Sequence, residues 1–565
     1  MKKTAIILAA LLTMSACSLK ENLRSTSELD DFYNNAIQCR TGINACYNLL
    51  RTILSGHSFW LMTDAQTDCM ILNSSTNYVA TLNISPTRPA IASTVWQYGY
   101  QGVMRANGML EAVEKCRLSG GCTDSEALDM TGELVAVRAM FYYLLTCTFG
   151  DVPFYTESVN EQNRAEIASL PRMSADSTRD FLIDELMQFL LPVSLGGMEA
   201  LPLKRSYDPP YENRLTAPVG LMLAAKMCLW NHRWQDAVTV LEVLEDIYGD
   251  YSSDPGRFGI DYPLTDIPFS KKYTAESILE IGNTFEEYGN QSAGYIAVVS
   301  TPSKSSVVDE GDESEYAISD VYAGIGIPEL GAQSRISVSA RPTTWFIQNV
   351  LSYDSPDLRS GEYSAGATQA RGGSGTLAWR WKGFDREDTE RKPEDCIVRW
   401  FKTGSSLTAG SLTAIQRPWL GNKFWCPGMY YTMDSNNPKF FRYADALLML
   451  SEAWLNLGDY DKSAAYLNIT RTRAGLEEMS LKAVGGNAEA FLEEIRKERA
   501  RELFGEFQRK FDLVRWGIWY ERTSLYNDGI YLKDFIRPYH RYMPIPAEQI
   551  TYSGGALDNK EYGGN

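Results

Sequence analysis

Over residues 41–54 the apolar side chains of Ile43, Tyr47, Leu50 and Leu54 recur every three or four positions, which puts them on one face of a helix. Residues 95–116 repeat the pattern with Trp96, Tyr100, Val103, Leu110 and Val113. The stretch 132–149 is apolar nearly all round, and a helix without a polar face is one enclosed on every side. Gly150-Asp151-Val152-Pro153 stops it: glycine adopts backbone angles that other residues avoid, and proline has no amide hydrogen to donate. Helical spacing resumes over 176–190 and 217–245.

Two segments read as helical hairpins, one turning at 231–233 and the other at 457–459. In both, an aromatic residue (Trp234, Tyr460) precedes a small one (Ala237, Ser463) by three places. Tetratricopeptide repeats use that pairing, the small residue admitting the neighbouring helix and the aromatic filling the gap above it; ordinary hairpins carry it too. Residues 248–438 differ, being rich in Gly, Ser, Thr and Pro with short β-prone runs such as 295–300. The expected architecture is mostly α: a tetratricopeptide-like scaffold over about 30–247 and 440–520, with a loop-rich insert of long loops and a few short strands, and an irregular tail over 521–565. Binding residues favour loops carried on such a frame.

The first residues change the picture. Lys2 and Lys3 precede a short apolar run, and Met14-Ser15-Ala16 leads into Cys17, the order of a secretory signal with a lipoprotein cleavage point. Residues 1–16 are thus expected to be removed and Cys17 to carry acyl chains that anchor the protein. No later stretch has the roughly 18 apolar residues that cross a bilayer. The net charge of −17 argues against a nucleic-acid partner. Three histidines, His57, His232 and His540, argue against a multi-histidine metal centre and weaken any Ser/His/Asp proposal. Of ten cysteines, Cys116 and Cys122 are spaced to bridge a short loop, and no CxxC pair is present.

Three separated segments together resemble the SusD/RagB family of Bacteroidetes surface lipoproteins. The first runs from Glu133 through Arg138 to Tyr143 and closes with Phe149-Gly150-Asp151-Val152-Pro153. The second begins Arg442-Tyr443-Ala444-Asp445-Ala446 and continues through Glu452 to Arg471-Thr472-Arg473-Ala474-Gly475. The third is Glu498-Arg499-Ala500-Arg501-Glu502-Leu503 with Phe511-Asp512-Leu513-Val514-Arg515-Trp516-Gly517, and Met543-Pro544-Ile545-Pro546 fits the tail. The charged residues of these motifs are expected to be scaffold: Glu498 with Arg501, or Glu502 with Arg499, three apart on one helix face. Leu503, Phe511 and Trp516 are expected to dock that helix, and Glu133, Arg138, Asp445 and Glu452 to pin helix to helix. The resemblance implies one domain over 17–565, a glycan ligand, and a TonB-dependent outer-membrane barrel of the SusC type as partner. It places the protein at the cell surface, bound to the outer membrane.

The family's ligand contacts vary, so candidates are chosen by context. Trp379 and Trp381 follow a glycine-rich stretch; on a strand they share a face about 7 Å apart, a spacing suited to successive sugar rings or to a half-buried sheet. Lys382 or Asp385 could add polar contacts, and Trp345 and Tyr322 lie in the same insert. Trp60, Asp64 and Asp68 end the first helical pair, with Tyr78 in the next loop, a region that edges the ligand site in the family. Trp96 suits either a core face or the site. The acidic loop 309–315 could hold calcium but lacks EF-hand spacing and reads more readily as a solvated loop; no other cofactor is expected. The leading reading is a non-enzymatic nutrient-binding protein. A surface glycoside hydrolase, needing two carboxylates about 5–10 Å apart, and a structural lipoprotein are the alternatives.

Overall fold

The protein is described from a computed structural model that covers residues 32–55, 57–72, 76–198, 214–248, 272–282, 307–309, 340–351, 356–359, 361–365, 376–381, 396–401, 423, 437–529 and 531–562. Helix predominates. α1 (Ala36–Leu54) starts where the Asn35 side chain accepts from the Gln38 amide. It packs on α2 (Ile91–Leu118), which packs in turn on α3 (Asp124–Phe149). Close approach of α2 and α3 depends on Gly102, where an added Cβ would lie 2.3 Å from the Phe141 ring. A reciprocal Thr123/Glu126 cap opens α3, every residue from Gly132 to Phe149 is buried, and Gly150 ends it at φ +71°.

α4 (Ala175–Leu190) packs against α3 and α5 (Ala217–Trp230), and α5 forms a hairpin with α6 (Trp234–Tyr248). The eight strands among the described residues belong mostly to the insert and its roots. β1 (Met70–Leu72) pairs antiparallel with β4 (Ala340–Pro342), and β2 (Ser277–Glu280) with β8 (Lys439–Arg442). A four-stranded antiparallel sheet runs in the order β3 (Val307–Asp309), β7 (Cys396–Phe401), β6 (Thr376–Trp381), β5 (Gly361–Ala365). α7 (Thr344–Asn349) follows β4.

The second hairpin, α8 (Tyr443–Asn456) and α9 (Tyr460–Arg473), closes as its small residues require. Ser463 is fully buried and its hydroxyl donates to the Ser451 carbonyl at 2.7 Å; Ala237 is equally buried in the first hairpin. α10 (Ala488–Glu502), α11 (Arg509–Arg515) and α12 (Trp519–Tyr526) complete the frame. The tail beyond α12 is short turns docked on the scaffold, as where the Met543 amide donates to the Thr148 carbonyl.

The charged residues of the second and third motifs are inside and paired. Glu502 accepts from Arg359 and Arg442, each at 2.6 Å, and from Arg473. Arg442 also reaches Glu506 (2.7 Å) and Glu276 (2.9 Å). Asp445 joins Lys226 of α5 (2.5 Å) to Arg499 of α10 (3.0 Å). Burial alone would raise the Glu498 carboxyl, but Arg359 and Arg501 outweigh it and hold it at about 2. The expected Glu498–Arg501 pair forms at 2.8 Å; the alternative Glu502–Arg499 pair does not, because Arg499 turns to Asp512 at 2.8 Å. Leu503 and Phe511 are buried as expected. Trp516 is only half-buried: its Nε1 donates to Glu452 (2.8 Å) and its ring lies beneath Arg496, Arg509 and Arg515. The indole of Trp519, three residues on, is enclosed instead.

Candidate ligand-binding surface

The β1–β4 ladder sets Met70 opposite Pro342, which draws the start of α7 against the segment that follows the first helical pair. Thr343 fixes that start twice: its hydroxyl accepts from the Phe346 amide (3.1 Å) and donates to the Asp68 carbonyl (2.6 Å). Trp345, next in the helix and half-buried, stacks on Tyr526 of α12 with centroids 4.5 Å apart and planes 21° from parallel. Arg522, one turn earlier on α12, lies 4.9 Å from the Trp345 centroid and 5.5 Å from that of Tyr526. The guanidinium is itself held by Asp68 (3.1 Å) and by both oxygens of Glu493 (2.7 and 2.8 Å). Two half-exposed rings are thereby fixed in position before any ligand arrives.

Tyr78 is another exposed ring. Asn77 caps the single turn Tyr78–Thr81 by accepting from the Ala80 amide, and the Tyr78 ring, 45% exposed, carries Arg88 at 4.7 Å from its centroid. The turn Leu532–Phe535 packs on this one and leaves Phe535 exposed. On β6, Trp379 pairs with Tyr363 of β5 and Val398 of β7, while Trp381 sits opposite Gly361, which makes β6 an interior strand. Tyr322, Lys382, Asp385 and residues 310–315 of the acidic loop lie outside the described residues.

Four candidates are in the interior, which corrects their expected role as ligand contacts. Trp60 is fully buried, donating from Nε1 to the Gly505 carbonyl at 3.0 Å. Trp96 packs edge-on against Phe149 at 5.0 Å, the core alternative of its helical spacing. Asp64 accepts from the Thr63 hydroxyl (2.7 Å) and the Phe507 amide (3.1 Å); burial pushes its carboxyl up to about 7. Asp68 accepts from Arg509 (2.8 and 2.7 Å) as well as Arg522; burial would raise it, yet those two cations hold it below its ordinary value. Asp68 therefore acts from beneath the surface, on the groups that shape it.

Tyr526 and Arg522 were not singled out by sequence reasoning. Their spacing of four on one helix was legible, but nothing local tied α12 to Trp345 across some 180 residues. The chemistry of the surface is that of recognition. Stacked and exposed rings can accept the apolar faces of a ligand, and the charges behind them are occupied by one another. The carboxyl raised to about 7, Asp64, is 1% exposed and sealed by Phe507, out of reach of a substrate. Among the described residues no group of three His, Cys, Asp or Glu side chains is arranged to hold a metal, and no helix is long and apolar enough to cross a membrane.

Comparison with known proteins places this architecture. The family profile described as "SusD family" matches residues 419–562, and one described as "Starch-binding associating with outer membrane" matches residues 15–190. A "SusD-like protein P25" from Formosa agariphila is 23% identical, covering 99% of this chain and 98% of the relative. Among solved structures, a SusD homolog from Bacteroides thetaiotaomicron superposes with a TM-score of 0.62 at 18% identity, over 92% of this chain and 97% of the other. Surface glycan-binding protein A from the same organism gives 0.60 at 18% identity, covering 93% and 99%; its complex with laminarihexaose gives 0.58, also at 18%, covering 92% and 98%.

Proposed function

This chain belongs to the SusD/RagB family, and we propose that it is a lipid-anchored cell-surface protein that binds an oligo- or polysaccharide and passes it unaltered to a SusC-like TonB-dependent barrel in the outer membrane. The observation that carries the reading is the Trp345–Tyr526 pair, locked by Arg522 and left half-exposed. A sugar ring offers apolar C–H faces and a polar rim, and fixed aromatic planes meet those faces without losing freedom of their own. Trp379 and Trp381, with Tyr78, supply further rings in this reading. The glycan-binding neighbours share the fold over nearly the whole chain.

Binding is favoured over hydrolysis because glycosidases require an accessible raised carboxyl beside a second one, and the paired acids of the motifs are consumed by buried cations. Calorimetric titration of the mature chain against a panel of glucans, fructans and host and plant glycans tests the proposal. The expected outcome is saturable binding of one class with no new reducing ends after prolonged incubation. Release of reducing ends would establish the hydrolase, and absence of binding across the panel would leave the structural role. Co-purification with a barrel protein from outer membranes tests the delivery step.

A further inference from the structure

Three cysteines meet where α1, the last turn of α2 and the loop into α3 come together. Gly121, the residue before Cys122, lies against the Cys116 sulfur, and the thiols of Cys39 and Cys122 are close enough to that of Cys116 for it to perturb both. The loop is wound tightly around that point. Both the Gly121 amide (2.8 Å) and the Ser119 hydroxyl (2.9 Å) donate to the Cys116 carbonyl. A Cβ at Gly121 would lie 2.9 Å from the Cys116 sulfur and 2.1 Å from the Asn34 carbonyl oxygen, so only glycine lets Cys122 fold back this far. Cys39 and Cys116 are buried, whereas Cys122 is half-buried and open to solvent. Thr123, the next residue, caps α3 and fixes where Cys122 sits.

We propose that Cys116 and Cys122 are a disulfide site, oxidised once the chain reaches an oxidising compartment, with Cys39 remaining a thiol. The physiological setting rests on the export reading above; the chemistry does not. Cys122 reacts first because an oxidant can reach it. Its sulfur, on losing its proton, attacks a small or protein-borne disulfide, forming a mixed disulfide and releasing one thiol. The Cys116 sulfur then loses its proton and displaces the second thiol from Cys122. Two protein thiols are oxidised, one disulfide is reduced to two thiols, and the two protons go to the leaving sulfurs. Cys39 is fully enclosed and its thiol is directed at the Tyr33 carbonyl, 3.9 Å away. The bridge would clamp the turn between α2 and α3, an effect that adds to the Thr123 cap.

The test uses the folded full chain treated with glutathione disulfide, then alkylated, denatured and mapped without reduction. The expected result is a Cys116–Cys122 linkage lighter by two hydrogens than the reduced form, lost in Cys116→Ser and Cys122→Ser and retained in Cys39→Ser. The same linkage is expected in protein taken from the membrane fraction of cells. Three alkylated thiols after oxidation, or a Cys39–Cys116 linkage in its place, overturns the proposal. Cell fractionation reports separately on export, so a chain that stays in the cytoplasm yet forms the bond in vitro refutes the export reading alone.

Discussion

Glu502→Gln is the sharpest test of the frame. The substitution keeps the shape of the side chain and removes one charge, leaving Arg359, Arg442 and Arg473 sharing an uncompensated position with no exposure to water. Breaking one side of a buried ion pair costs about 3–5 kcal/mol, since the remaining charge stays desolvated. Glu502 serves three cations, but Glu506, Glu276 and Asp357 between them also hold all three, so the middle of that range is expected. A chain of 565 residues that melts as one unit has an unfolding entropy of roughly 1.2 kcal/mol per degree, from about 2.1 cal/mol/K per residue. About 4 kcal/mol then lowers the melting temperature by about 3–4 °C. Calorimetry of the wild type, Glu502→Gln and Glu114→Gln measures this directly. Glu114 pairs with Arg117 on the surface, where such pairs contribute little, and its variant should melt with the wild type. A Glu502→Gln protein that melts with the wild type would mean that the cluster is hydrated rather than sealed.

Four further outcomes follow from the same geometry. Trp345→Ala should weaken glycan binding at least about tenfold by titration, equivalent to about 1.4 kcal/mol, with the melt little changed because the ring is half-exposed. Trp519→Ala should destabilise by about 3–5 kcal/mol in urea titrations, and Trp516→Ala by distinctly less, the reverse of what the motif alone suggests. Burial first, then Lys510 and Arg537, holds the His540 imidazole down to about 3. The unfolded chain therefore takes up a proton below about 6.5 that the folded one refuses, and about 2 kcal/mol of stability is lost between pH 7 and pH 5. His540→Gln should flatten that slope, while Asp64→Asn, removing a group whose raised carboxyl acts with the opposite sign from about 7 down to 3.8, should steepen it. Cys17→Ala should shift the protein out of the membrane fraction of cells lacking the proposed barrel partner, since in the proposed lipid-anchored form acyl chains on Cys17 carry its lipid affinity.

The helical frame was legible because it rests on local rules. Apolar spacing located α1 to α6, the Trp234/Ala237 and Tyr460/Ser463 pairs located both hairpins, and Gly150 marked the end of α3. The scaffold role of the charged motifs was legible too, since residues such as Glu498 and Arg501 stand three apart on a helix and can pair. Which cation each acid chose was not. Glu502 takes Arg442 from 60 residues away and Arg359 from 143, and no spacing rule encodes a contact across an insert. The site failed in the same manner. Trp60 and Trp96 look in sequence like any other tryptophans near a loop, and whether an indole faces water depends on what arrives from elsewhere, Gly505 in one case and Phe149 in the other.

Asp68 shows why the error took the form it did. A carboxylate in a loop beside a candidate site invites the reading of a ligand contact. Yet its side chain joins Arg509 of the frame to Arg522 of the aromatic surface, and its backbone carbonyl receives the Thr343 hydroxyl that sets the start of α7. Both partners of the Trp345–Tyr526 stack are thus positioned from one buried residue. A half-exposed ring pair has few contacts of its own to hold it, so its orientation must come from charges that water cannot screen. A group able to do that is necessarily too deep to touch the ligand. The buried ion pairs and the exposed aromatic pair are therefore one construction: the sealed charges set the geometry, and in the proposed function the rings set which ligand fits.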